Sequence, residues 1–346
     1  SRMVADRLCL SAASAVRDRS PLIWPGATAD QVAELTACFD LAGLARRCMD
    51  HLEAWMGRAG SEATAELKLA LRQAASIAPD GAERLMEILF AHLSDARMML
   101  RVVAHATPVA GRETFLGESE LAVFIDRVVT ALAHRAAQAT AFDPTAEGAD
   151  PATLKADLDW CAETLAEIDV SLPLRTDSAW GKAVRQARLK IALRLSELFT
   201  AAEKAATAVL PVERTALVGR MTRPSPRLDQ PVDAVAAARA KALLAVIGLV
   251  RGPAAVFGCE AERRQTAEGL TGRLATWADE AIERLNDGEA PDEGIARKRI
   301  ALTAELLGQI GAREAQRTVR RRLTVAGAPP SIVVPTATSG TSRQRA

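Results

Sequence analysis

The stretch Thr28-Ala-Asp-Gln-Val-Ala-Glu-Leu-Thr-Ala-Cys-Phe-Asp-Leu-Ala-Gly-Leu-Ala-Arg-Arg-Cys-Met-Asp-His-Leu-Glu-Ala-Trp-Met-Gly57 decides the fold class. It opens as a capping box, with Thr28 at the N-cap and Gln31 at N3. In that arrangement each side chain satisfies the other residue's orphan backbone N–H. Val32, Leu35, Phe39, Ala42, Met49, Leu52 and Met56 then recur at helical spacing up to Gly57, which predicts one amphipathic helix.

The same signals continue on both sides. Gly60 and Ser61 mark a turn, and residues 65–77 read as a returning helix. Pro79 fits the first turn of a next helix, whose stripe is Leu85, Ile88, His92, Ala96, Met99 and Val103. A loop follows over residues 107–117, then a helix over 118–140 carrying Leu121, Ile125, Val128 and Leu132 on one face. Asp150-Pro151 supplies an N-cap and a proline at N1 for a stripe of Leu154, Leu158, Cys161, Leu165 and Ile168. Asp177 is placed to cap a long helix through Trp180, Ile191 and Leu198. Residues 210–231 hold four prolines and form the sharpest break. Three more helical patterns occupy residues 232–250, 253–286 and 291–324.

The expectation is therefore an all-α protein of about nine helices, in irregular antiparallel bundles or stacked helical hairpins, because short connections favour antiparallel neighbours. No fixed repeat period is present, which argues against a solenoid. The division expected is a helical bundle over 1–140, a second helical section over 141–324 and a basic tail over 325–346. The tail, rich in Pro, Ser, Thr, Gly and Arg, is expected to be disordered. Composition agrees: aromatics are 3%, tyrosine is absent and alanine abounds, a bias away from strand and towards helix.

Net charge is +1, so the whole chain makes no case for a polyanionic partner. Cys9, Cys38, Cys48, Cys161 and Cys259 are odd in number, scattered and never spaced as CxxC. Neither a disulfide framework nor a thiolate zinc site is expected, and a reducing, cytoplasmic setting is. The most apolar run, 234–250, is interrupted by Arg239 and Lys241, so no transmembrane segment is expected. Ser1 and Arg2 precede Met3; either two residues stand before a natural start, or the chain is cut from a longer protein.

Catalytic motifs are missing: no glycine-rich phosphate loop, HExxH, DDxxD, GxSxG or paired ExxH occurs. Two weak histidine groupings remain. His92 with Asp95, three residues apart on one helix face, could form a proton-transfer pair. Cys48 with His51 could give two metal ligands. The simpler reading of both is structural packing. No cofactor or metal is expected.

Charge is segregated. Residues 143–169 hold eight acids against Lys155 alone, and residues 178–196 hold five bases and no acid. Packed antiparallel, the two helices would neutralise each other in part; otherwise Lys182, Arg185 and Arg188 offer an anionic partner a patch. Arg317, Arg320, Arg321 and Arg322 form a second cluster, more than helix capping requires. Anionic lipid or nucleic acid could bind there, although no aromatic residue lies among these arginines to stack on a base. Trp24, in Pro21-Leu22-Ile23-Trp24-Pro25, is expected to plug one end of the bundle; the alternative is an exposed apolar hook for a partner. The functional expectation is a non-enzymatic helical protein–protein interaction or scaffold module, acting through a helix face or groove. The alternatives are a soluble regulatory domain of a larger protein, membrane-bound or not, and a small-ligand binder or enzyme built between helices.

Overall fold

A computed structural model describes residues 2–56, 61–93, 95–106, 112–118, 121–216 and 222–326. Its class is all-α. In chain order the helices are α1 (Arg2–Ile23), α2 (Ala29–Met56), α3 (Ser61–Ile77), α4 (Gly81–Ala91), α5 (Ala96–Ala106), α6 (Arg112–Gly117), α7 (Ala122–Ala141), α8 (Pro151–Ser171) and α9 (Ala179–Val209). A hairpin of β1 (Val212–Ala216) and β2 (Thr222–Pro226) follows, then α10 (Ala234–Leu249), α11 (Glu260–Asn286), α12 (Glu293–Ile310) and α13 (Arg313–Val325). The contacts divide the chain into two compact units: Ser1–Glu197 with Leu249–Ala261, and Leu198–Gly248 with Glu262–Ala346.

Thirteen helices among the described residues replace the nine expected. Two come from segments to which no helix was assigned, α1 and α6. The other two come from splitting. The stripe from Leu85 to Val103 keeps helical phase, yet the helix stops at Ala91. There the His92 and Leu93 amides tighten to i−3 carbonyls, and Asp95 accepts from Arg97 N at 3.0 Å to start α5. Periodicity cannot see such a break, because the competition of an aspartate side chain for a backbone amide leaves the apolar spacing intact. The pattern over 291–324 divides at Gly311, which takes φ +89° as a left-handed cap of α12. Only glycine adopts that conformation without penalty.

In the first unit α2 is the hub, touching α1, α3, α4 and α5. Its capping box is present: Thr28 N donates to Gln31 Oε1 at 2.9 Å and Gln31 N to Thr28 Oγ1 at 3.2 Å. The buried face, however, is Leu41, Leu44, Ala45, Cys48, Leu52 and Trp55. It is rotated from the expected stripe, which shares only Leu52 with it, because helices cover α2 from two sides. The α1–α2 contact is clamped by Arg46 to Asp6 (2.6 Å) and Arg17 to Asp40 (2.9 Å). Between α3 and α4, Gly81 packs so closely that a Cβ would sit 2.0 Å from the Ala74 carbonyl oxygen. Asp150 caps α8 by accepting from Ala152 N at 2.9 Å. At α9 the cap is Ser178, whose Oγ accepts from Gly181 N at 2.9 Å, while Asp177 is held by Arg175. Trp24 is 41% exposed, with Leu22 and Ile23 exposed beside it, so the expected plug is an exposed apolar tip.

In the second unit the proline-rich break is a β-hairpin. Arg227 N donates to Pro211 O at 3.0 Å, and the register pairs Glu213 with Ser225. That phase turns the nitrogens of Pro224 and Pro226 away from β1, where no donor is needed. Arg299, 5% exposed on α12, fixes both ends of this excursion. It donates to the carbonyls of Gln230 (2.7 Å), Pro231 (2.9 Å) and Val209 (3.3 Å). Burial pushes its pKa down, and the three carbonyls supply the hydrogen bonds a buried cation requires. No helix among the described residues is long and apolar enough to cross a membrane. Of the tail expected over 325–346, Val325 ends α13, and residues 327–346 lie outside the described residues.

Candidate functional site

The histidine groupings are not assembled into sites. His92 is exposed, and its Nδ1 lies 2.7 Å from the Ile88 carbonyl oxygen of its own helix. Asp95 is engaged by Arg97 Nε at 2.7 Å. Burial alone would raise the Asp95 carboxyl pKa, but the Arg97 hydrogen bonds hold it below its usual range. Cys48 is buried, and burial pushes its thiol up to about 11, the reverse of what a nucleophile or thiolate ligand requires. His51 faces outward, stacked on Trp55 at 5.9 Å between centroids and 3.5 Å from Glu66. Among the described residues no three His, Cys, Asp or Glu side chains are grouped to hold a metal.

The acidic helix α8 is neutralised mainly by helices other than the basic one after it. Asp157 pairs with Arg135 of α7 at 3.2 Å, Glu163 with Arg97 of α5, and Glu167 with Arg101 of α5 at 3.0 Å. Arg97 and Arg135 also approach the Trp160 ring, at 5.7 and 4.6 Å from its centroid. Of the patch expected on α9, Arg188 pairs with Asp169 at 2.7 Å and Arg185 donates to the Thr176 carbonyl. Lys182 is exposed. Of the three, Arg188 is the one paired with a described carboxylate, while Arg185 keeps its charge.

The C-terminal cluster is different. Arg322 turns inward to Asp279 of α11. Arg317, Arg320 and Arg321 are exposed, as is Arg313 one turn earlier. Spacings of i, i+4, i+7 and i+8 put these four on one side of α13. No ion pair joins them to any described residue, although arginines elsewhere in this unit, such as Arg273, Arg284 and Arg297, are paired.

The second unit also contains a groove that sequence reading missed. It has a volume of about 490 Å³, and lies between the end of α9, the hairpin and α11. Leu210, Val212, Leu270, Leu274 and Trp277 make its apolar wall. Three ion pairs hold its sides: Arg273–Glu203 (3.1 Å), Arg223–Glu280 (2.9 Å) and Arg284–Glu213 (2.8 Å). Arg284 also donates to the Pro226 carbonyl at 2.5 Å. Trp277 is 6% exposed and its indole N–H reaches Pro211 O at 3.4 Å. These residues come from three separated segments, so no local motif announces them; the one available signal was a tryptophan in an aromatic-poor chain.

The chain matches no known protein-family model, no curated protein and no solved structure.

The groove offers shape and apolar surface. Its ionisable lining residues, Arg273 and Glu280, are each committed to a partner across the wall.

Proposed function

We propose that this chain is a non-enzymatic helical protein–protein interaction module, which takes apolar side chains of a partner into the groove between α9, the β-hairpin and α11. The observation that carries the reading is the wall of Leu210, Val212, Leu270 and Trp277, open on one side and braced by three ion pairs. Interfaces gather their energy in a few apolar anchors that enter such preformed pockets, surrounded by a polar rim. Val212 is 60% exposed at the lip, an uncompensated apolar surface in a monomer. Five free cysteines fit the reducing, cytoplasmic setting in which we place the module.

A small apolar ligand is the second reading, favoured by the volume, since small-molecule sites occupy roughly 300–1,000 Å³. One experiment separates the two. The full chain and its Val212→Glu variant are used to capture partners, and the eluates are weighed by native mass spectrometry. Val212 is exposed, so the substitution leaves the core alone. A stoichiometric protein held by the natural chain and lost from the variant supports the module. A bound small molecule, or a protein held equally by both, sinks it.

A further inference from the structure

The two outer edges of the β-hairpin differ. Arg227 N bonds Pro211 O, and the cross-strand pairs alternate from there. Glu213 and Ser225 exchange hydrogen bonds, whereas Val212 with Pro226 and Arg214 with Pro224 do not. The backbone N–H and C=O of Val212 and Arg214 therefore point away from β2, and the nitrogens of Pro224 and Pro226 point away from β1. At those two positions β2 offers an added strand no donor, and its Pro226 carbonyl already accepts from Arg284 at 2.5 Å. The β1 strand carries no proline. Among the described residues none bonds the outward backbone groups of Val212 or Arg214, and no element but β2 runs alongside the strand. Val212 is exposed while Pro226 opposite it is buried, so β1 is the edge that meets solvent.

We infer that the outer edge of β1 takes an extended segment of the protein partner as a third, antiparallel strand, with an apolar residue opposite Val212 and a carboxylate opposite Arg214. This pairing rests on the reading of the neighbouring groove as the protein-binding site, and gives the conformation and chemistry of what enters it. An unpaired strand edge is a template whose row of N–H and C=O groups fits another strand. Residues directly opposite each other in the ladder set their side chains on one face. Val212 belongs to the groove wall, so the apolar residue opposite it lies at the groove's mouth. Arg214 stands two residues on, on the same face. It is exposed and joined by no ion pair to a described residue, whereas Arg223 and Arg284 are both paired. Its guanidinium selects a carboxylate two residues from the apolar anchor. The same charge decides against a second copy of this chain. Antiparallel pairing of β1 with itself about Glu213 or Arg214 sets Glu against Glu or Arg against Arg, and like charges directly opposite destabilise a ladder.

The test uses the full chain and fluorescence anisotropy. The probe is a labelled, capped peptide alternating Thr and Val, with Glu in place of one Val. Two further forms carry backbone N-methyl groups, one on the Val and Glu nitrogens and the other on the Thr nitrogens. In antiparallel pairing, the residues whose side chains share the face of Val212 are those whose amides point at β1. Methylation of Val and Glu is therefore expected to weaken binding by about tenfold or more, and methylation of Thr to change it by less than about twofold. Arg214→Pro removes the outward N–H while the ladder to β2 keeps its bonds, and should also cost about tenfold. Arg214→Gln keeps that N–H, so it should cost less and abolish the weakening by salt. The methylated peptides need no variant and carry the test if Arg214→Pro does not fold. Equal binding of the three peptides, no binding, or full binding to a folded Arg214→Pro would each overturn the inference. So would a dimer of the natural chain, seen by sedimentation, that Arg214→Pro dissolves. A captured partner held by Arg214→Pro but lost from Val212→Glu would remove the strand and leave the groove standing.

Discussion

Arg299 Nη2 lies 2.9 Å from the carbonyl oxygen of Pro231, inside the second unit and without a carboxylate bonded to it. The same guanidinium holds Val209 O, so one side chain closes the base of the excursion that carries the hairpin. Arg299→Met should cost about 2–5 kcal/mol, because three carbonyls lose their donor at once, that of Val209 in a buried setting. Calorimetry of the full chain would show it as a lower melting temperature. A loss under about 0.5 kcal/mol would mean that water replaces the guanidinium without penalty.

Gly311 offers a cleaner backbone test. No atom lies within 4 Å of a Cβ built there, so the cost of Gly311→Ala is conformational alone, set by φ +89°. About 1 kcal/mol of destabilisation is expected. Gly269, inside α11 with nothing near its Cβ, should respond in the opposite sense, and Gly269→Ala should stabilise by about 0.5–1 kcal/mol. Denaturant midpoints of the two variants check both signs. Equal shifts would contradict the assignment of Gly311 as the break between α12 and α13.

Burial pushes the Cys48 thiol up to about 11 and the Cys161 thiol up to about 12, aided at Cys161 by the Asp157 charge. Both folded values lie above the ordinary thiol value of about 9. The stability they contribute is complete below pH 9, and is lost as pH rises from 9 through 11 and 12, where the unfolded chain ionises first. Titration by denaturant should show stability falling over that window. Iodoacetamide at pH 8 should label exposed Cys38 and spare Cys48 and Cys161 until the chain unfolds. Rapid labelling of Cys161 in the native protein would contradict its burial.

Much of the fold was legible where the chemistry is local. The Thr28–Gln31 box and the Asp150 cap need only adjacent residues, and the structure holds both hydrogen-bonded. What escaped depended on distant partners or on competition that periodicity does not register. The Leu85–Val103 stripe hid the break at His92–Asp95. The prolines of β2 read only as a break, because their outward phase appears only once β1 is beside them. At the sites the contrast is the same. The α13 arginines could be read as a cluster, since they are neighbours in sequence. Which of them is neutralised could not, because Arg322 finds its acid 43 residues away at Asp279. The hairpin groove combines Leu210, Pro224 and Trp277, and no spacing links them.

The apolar tip between α1 and α2 gives a further check. Leu22 is 82% exposed and Trp24 41%, so neither closes the bundle. Leu22→Ser and Trp24→Ser should each change stability by no more than about 0.5 kcal/mol, as exposed positions do. A loss of 2 kcal/mol or more at Trp24 would restore the plug expected from the sequence.

The most direct test of the module is hydrogen–deuterium exchange on the full chain, alone and with its captured protein partner. Occupation of the hairpin groove predicts slowed exchange in peptides covering residues 206–216, 222–226 and 270–280, absent in the Val212→Glu variant. Protection confined to other segments, or no protection in a demonstrated complex, would contradict the assignment of this groove as the binding site.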